Sequence, residues 1–169
     1  MKCLRTAALT VLFALAVSAP AGAQSNSATS SCNATATIVT GLSLSKTADL
    51  NFGSVVPGAS AGSVVISPAG ARSATGGSSL GSSTGTSAGT FQVSGLAGAA
   101  YSITLPASTT ITSAGNNMTV NTFTSTPNGT GTLNGGGNQI LAIGATLQVG
   151  ASQPTGTYTG SFNVTVTYN

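Results

Sequence analysis

The sequence predicts an all-β protein built as an antiparallel β-sandwich, and three observations carry that prediction. Beyond residue 23 no segment repeats its apolar residues with the helical period. About eight or nine short runs instead alternate apolar and polar residues with period two. Between those runs stand Gly, Pro and Asn clusters of the kind that turn a chain back on itself, in a sequence with 23 Gly and 6 Pro in 169 residues. Many short strands with such punctuation pack as two sheets around one core.

Residues 1–23 read as a secretory signal peptide. Lys2 and Arg5 form the charged start, Ala7 to Val17 the apolar run, and Ala21-Gly22-Ala23 the small-residue cleavage pattern. The apolar run is shorter than the roughly 20 residues of a spanning helix. The mature protein is therefore expected outside the cytoplasm and not integral to a membrane. Cleavage after Ala23 leaves 169 − 23 = 146 residues, a length suited to one domain. Residues 24–45 form an N-terminal tail and a candidate donor strand, and residues 46–169 the sandwich.

The tail starts polar and small, from Gln24 to Asn33. Ala34 to Leu44 then alternates: Ala34, Ala36, Ile38, Thr40, Leu42 and Leu44 share one side of a predicted strand, and Thr35, Thr37, Val39, Gly41 and Ser43 the other. This strand has no hairpin partner upstream. It completes either its own sheet or that of a neighbour lacking an edge strand, as in β-strand addition. Burying Ile38, Leu42 and Leu44 in such a groove contributes roughly 1.5–3 kcal/mol each.

The remaining elements follow in order. Ala48 to Val56 reads as a strand ended by Pro57-Gly58, and Val64 to Ile66 as a short strand ended by Ser67-Pro68. Ala69 to Gly89 is nearly all Gly, Ser, Ala and Thr, which reads either as small-residue strands or as a surface loop. A loop flanked by weak strands is the favoured expectation, because a long structureless loop is unusual in a compact domain. Phe91 and Val93, then Tyr101, Ile103 and Leu105, alternate about a Gly-containing connection and are expected to pair as a hairpin. Ile111 sits in a short strand, Met118 and Val120 face the core with Thr122 as a further candidate, and Phe123 falls on the opposite parity and calls for a bulge or a second packing face. Gln139 to Val149 is a longer strand expected to break near Gly144. In the last strand, Thr157 to Asn169, Tyr158, Gly160, Phe162, Val164, Val166 and Tyr168 face one way without a fault.

Charge excludes several functions. The chain has four Lys and Arg against one Asp and no Glu or His. Two of the four cations leave with the signal peptide, so Lys46, Arg72 and Asp49 remain with a net charge of 2 − 1 = +1. That cannot form the basic surface that nucleic acid or anionic lipid requires, and it opposes self-association only weakly. Without His or Glu, and with a single Asp, there is no catalytic triad, carboxylate pair or cofactor or metal-ligand cluster to be expected, so the chain is not read as an enzyme. Lys46 beside Asp49 reads as a surface pair. Cys3 departs with the signal peptide and leaves Cys32 as an incidental thiol in the tail or the site of an intermolecular bridge.

Certain residues also carry a family likeness. Leu50-Asn51-Phe52-Gly53 with Pro57-Gly58, Phe91 to Gly95 leading to Tyr101 to Pro106, and the ending Gly156 to Tyr168 resemble domain-of-unknown-function family 4402. The ending is also similar to the pilins of archaic chaperone-usher systems, the spore-coat-protein-U-like subunits. The resemblance implies an incomplete immunoglobulin-like sandwich completed by a donor strand, a periplasmic chaperone, an outer-membrane usher and a homopolymer of identical subunits forming a fimbrium. The chain departs from archaic pilins in lacking a second mature cysteine, so their intradomain disulfide cannot form. The expected function is thus a structural subunit of a bacterial surface fibre. The alternative is a self-complemented secreted monomer that attaches to glycans or surfaces. On the first reading Ala34 to Leu44 polymerises the subunits, and Tyr158, Phe162, Val164, Val166 and Tyr168 flank the groove.

Overall fold

A computed structural model describes residues 26–169, and the signal-peptide reading of residues 1–23 lies outside them. Residues 26–36, which belong to the first of two units, are exposed and without regular structure, and Cys32 among them is a free, exposed thiol. The second unit, Thr37–Asn169, holds the strands: β1 (Ser43–Ala48), β2 (Val55–Val56), β3 (Gly62–Ile66), β4 (Arg72–Gly76), β5 (Ser79–Leu80), β6 (Gly89–Ser94), β7 (Ala100–Thr104), β8 (Ser108–Ser113), β9 (Asn116–Thr126), β10 (Thr130–Thr132), β11 (Asn138–Val149) and β12 (Thr165–Tyr168). All pairings are antiparallel, and the sheets form the expected β-sandwich.

β11 is the shared strand. On one edge its first half pairs β6, with Leu141 opposite Phe91, and its second half pairs β3, with Leu147 opposite Val64. Its other edge pairs β9. Beyond these, β1 lies on β6, β4 on β3 and β8 on β9. A second sheet runs β10-β7-β12, and β2 and β5 form a small ribbon. The partner change falls at Gly144, where a Cβ would overlap the Ile66 carbonyl oxygen and stand 2.7 Å from the Pro68 nitrogen. Glycine is needed there because β3 turns away through backbone that cannot yield. Contrary to expectation, β11 is not interrupted at this residue; the glycine marks a change of neighbour.

Other expectations are corrected in the same way. β6 and β7 do not form a hairpin. They lie in different sheets and face each other across the core, with Val93, Tyr101 and Ile103 in one cluster. Alternation shows which face is apolar, but it is equally satisfied by two strands lying side by side and by two lying face to face. In the Ala48 to Val56 stretch, Ala48 ends β1 and the only further strand structure is Val55–Val56 and an isolated Asn51–Ser87 bridge, although Phe52 is buried. The first strand begins at Ser43, not Ala34, and the last is regular only from Thr165 to Tyr168. In both cases the missing part of the strand has no continuous neighbour to pair with. Phe123 does require a bulge: Thr122, at φ 48°, and Phe123 together stand opposite Ala145. The Gly/Ser-rich segment forms β4 and β5 and then a loop. The Arg72 guanidinium holds that loop, donating to the carbonyl oxygens of Ser54, Gly81 and Ser82.

The core has two clusters along β11. One gathers Phe52, Val64, Ile66, Val120, Leu147 and Val149, and the other Val93, Tyr101, Ile103, Leu133, Leu141 and Ile143. Phe123 packs against both. Tyr101 is wholly buried, and its hydroxyl donates to Gln139 Oε1 at 2.7 Å. Burial pushes its phenol above the ordinary value of 10.0, since the folded protein disfavours the phenolate. Its contribution to stability is therefore full below about pH 10 and is lost as pH rises through the higher folded value.

Two outcomes are expected from this core. Tyr101→Phe should lower stability by about 1 kcal/mol by removing the hydrogen bond, and should flatten the fall in urea midpoint that the parent shows above pH 10. Gly144→Ala should cost at least the roughly 1–3 kcal/mol typical of overpacking, read as a lower urea midpoint with an unchanged slope.

Candidate functional site

Two strands of the second unit, β1 and β12, stand at the ends of their sheets, each bonded on one side only, β1 to β6 and β12 to β7. Among the described residues no backbone hydrogen bond joins β1 to the C-terminal segment. Between the later half of β1 and the approach to β12 lies a cleft of about 770 Å³. Its first wall is Lys46, Ala48 and the chain from Asp49 to Val55. Its second wall is the chain from Gln153 to Phe162, and Phe91, Ile111, Met118 and Val120 lie along its floor.

The second wall is fixed from outside. Thr159 and Thr112 exchange backbone hydrogen bonds at 2.9 and 3.0 Å, and the Thr109 hydroxyl donates to the Ser161 carbonyl at 2.7 Å. Gln153 secures the turn below. Its Oε1 accepts from the Gly150 amide at 3.2 Å, while its Nε2 donates to the Tyr158 hydroxyl at 2.9 Å and to the Asn117 carbonyl at 3.3 Å. The Tyr158 hydroxyl in turn donates to the Pro154 carbonyl at 2.8 Å. Phe162 is half-buried against Phe123, ring centroids 4.9 Å apart and tilted by 44°, which anchors the wall's upper end in the core.

The lining carries one pair of charges, Lys46 Nζ to Asp49 Oδ1 at 2.6 Å, and both side chains are mostly exposed. A pair so open to water contributes at most about 1 kcal/mol. Everything else that lines the cleft is apolar, hydroxyl, amide or backbone. Such a lining is chemically suited to receive an extended chain, with apolar residues for alternate side chains and the free edge of β1 for main-chain hydrogen bonds.

The structure divides the residues singled out from sequence into three places. Ala34 and Ala36 lie in the exposed first unit, outside any strand. Ile38 is 97% exposed and Thr40 is exposed, whereas Leu42 and Leu44 pack against the second cluster of their own chain, Leu44 opposite Val93. Of the C-terminal residues, Tyr158 and Phe162 line the cleft, while Val164, Val166 and Tyr168 cover the second cluster beyond it. Sequence reasoning missed Gln153, whose neighbours Pro154-Thr155-Gly156 signalled only a turn. It also missed that Leu50 to Val55 forms a wall, because a stretch read as a regular strand gave no sign of the chain's path beside β1.

No curated protein and no solved structure matches the chain. A family profile does, over residues 42–168, a span that starts at the half-buried Leu42, includes both walls of the cleft and ends on Tyr168. The chain belongs to the family described as domain of unknown function DUF4402.

Proposed function

We propose that the protein is a structural subunit of a bacterial surface fibre, polymerised when the N-terminal segment of one copy fills the cleft of the next. The observation that carries this reading is an apolar-floored cleft between the free edge of β1 and the irregular chain that leads to β12, which do not bond each other, in a chain that also presents an exposed, unpaired N-terminal segment. An edge left open in this way pairs with whatever strand it meets. The reading therefore includes a periplasmic chaperone that covers the cleft and an outer-membrane usher that orders the exchange, on an incomplete immunoglobulin-like sandwich. It assigns the chain no catalytic role.

The packing also narrows the donor. Leu42 and Leu44 are committed to their own core, so the exchangeable part ends before them and offers Ala34, Ala36 and Ile38 on one side. Ile38 is the large residue of that set. Its burial contributes roughly 1.5–3 kcal/mol, and each main-chain hydrogen bond along the groove adds about 0.5–1.5 kcal/mol.

Protein sheared from the cell surface and run on a denaturing, reducing gel should give a ladder when unheated that collapses to one band on boiling. A monomer band in both lanes would overturn polymerisation and support a self-complemented adhesion or glycan-binding module. Ile38→Asp should abolish the ladder, and because the side chain is exposed it should leave the subunit's stability within about 0.5 kcal/mol of the parent's, read as an unchanged urea midpoint. Leu42→Asp, by contrast, should lower the midpoint as well.

A further inference from the structure

Tyr168 ends β12, beyond the residues that line the cleft, and its hydroxyl is used twice. It accepts a hydrogen bond from the Leu96 amide at 2.7 Å and donates one to the Thr40 carbonyl at 2.9 Å. Gly95 makes room for it: a Cβ there would run into the Tyr168 hydroxyl, with Leu133 and Leu42 methyl groups at 3.1 and 3.2 Å. One residue further out, Val39 borders a small hollow with Leu96, Ala99, Ala100, Tyr168 and Asn169.

These contacts fix the path by which the N-terminal segment leaves. Followed back from β1, the chain passes Ser43 opposite Ser94, Leu42 in the second cluster, Thr40 on the Tyr168 hydroxyl, and Val39 against the turn that leads into β7. It crosses the end of the C-terminal strand and does not fold back along β1. To fill its own cleft the segment must reverse near Gly41 and run beside β1 toward Lys46 and Ala48. A Cβ at Gly41 meets nothing within 4 Å, so no packing at that residue opposes the reversal. The reversal does take Val39 out of its hollow and the Thr40 carbonyl off Tyr168.

We infer that Tyr168 selects the partner: its hydroxyl, latched on the Thr40 carbonyl, holds the N-terminal segment out of the chain's own cleft and so offers it to a second copy. The inference rests on the strand-exchange reading above. Tyr168 acts here as a positioning residue, through the path of the chain and not by contact with the incoming strand. Removing the latch should shift the balance toward monomers closed on their own tail. A closed monomer differs from an unassembled one in that residues 26–39 are paired within the cleft and resist proteolysis.

The test compares the full exported chain with its Tyr168→Phe, Gly95→Ala and Ile38→Asp variants. It measures the ratio of monomer to polymer by size exclusion and the protease resistance of residues 26–39 in the monomer fraction. Tyr168→Phe should raise the ratio about three- to tenfold, the effect of one net hydrogen bond, and the extra monomer should carry a resistant tail. Gly95→Ala keeps the hydroxyl but displaces it, and should give the same shift by an independent route even if one variant folds poorly. Two folded variants that polymerise in the parent's ratio, or extra monomers whose tails are cut freely, would overturn the latch while leaving strand exchange standing. An Ile38→Asp chain that polymerises like the parent would instead overturn strand exchange itself, whatever Tyr168 does.

Discussion

The constraint on which this structure depends is that a strand's backbone donors and acceptors must be paired wherever water is excluded. β11 meets it on both edges for most of its length, which is why it can run through the core between two clusters and carry buried residues from Leu141 to Val149 on one face. It does so by using two neighbours in succession on one edge. The switch from β6 to β3 at Gly144 lets two groups of strands share one central strand. The other strands of its sheet are ordered outward from it. The strands that end up outermost, β1 among them, are left with one bonded side.

The same constraint explains what was legible in the sequence. Residues whose neighbours lie within the domain behave as their alternation says: Val64 and Ile66, Val93, Tyr101 and Ile103, and Leu141, Ile143, Leu147 and Val149 all enter the core. Phe123 was legible as an exception, because its wrong parity can be buried only if an extra residue is inserted, and Thr122 supplies it in the left-handed region. Pairing partners were not legible. Side-chain alternation describes a face, whereas pairing is decided at the edges, and the edges of all strands are chemically the same backbone. Hence β6 and β7 read as one hairpin and are two sheets.

The candidate site was legible in part for the same reason. The alternating run Ala34 to Leu44 has one parity throughout, yet Leu42 and Leu44 are half-buried in their own core and Ile38 is almost fully exposed. What separates them is the position at which β6 begins to offer β1 an edge, Ser94 opposite Ser43. Nothing in residues 34–44 encodes that point, because it is set by the register of a strand far along the chain. The cleft itself was less legible still. Its floor comes from β6, β8 and β9 and its walls from irregular chain, so no contiguous motif spells it out.

Scarce charge gives the open edges their character. Proteins commonly protect exposed strand edges with lysines or other charges. Here the described part of the chain has three charged residues. Arg72, on the edge strand β4, turns its guanidinium onto the carbonyls of a loop, and Lys46, on β1, is neutralised by Asp49. The segment from Gln153 to Tyr168 carries none. With an ion pair at one wall and no charge at the other, the cleft has little electrostatic character, and its remaining polar groups are hydroxyls and amides. On the strand-exchange proposal, that low charge leaves shape, apolar residues and free backbone groups to decide what the cleft accepts.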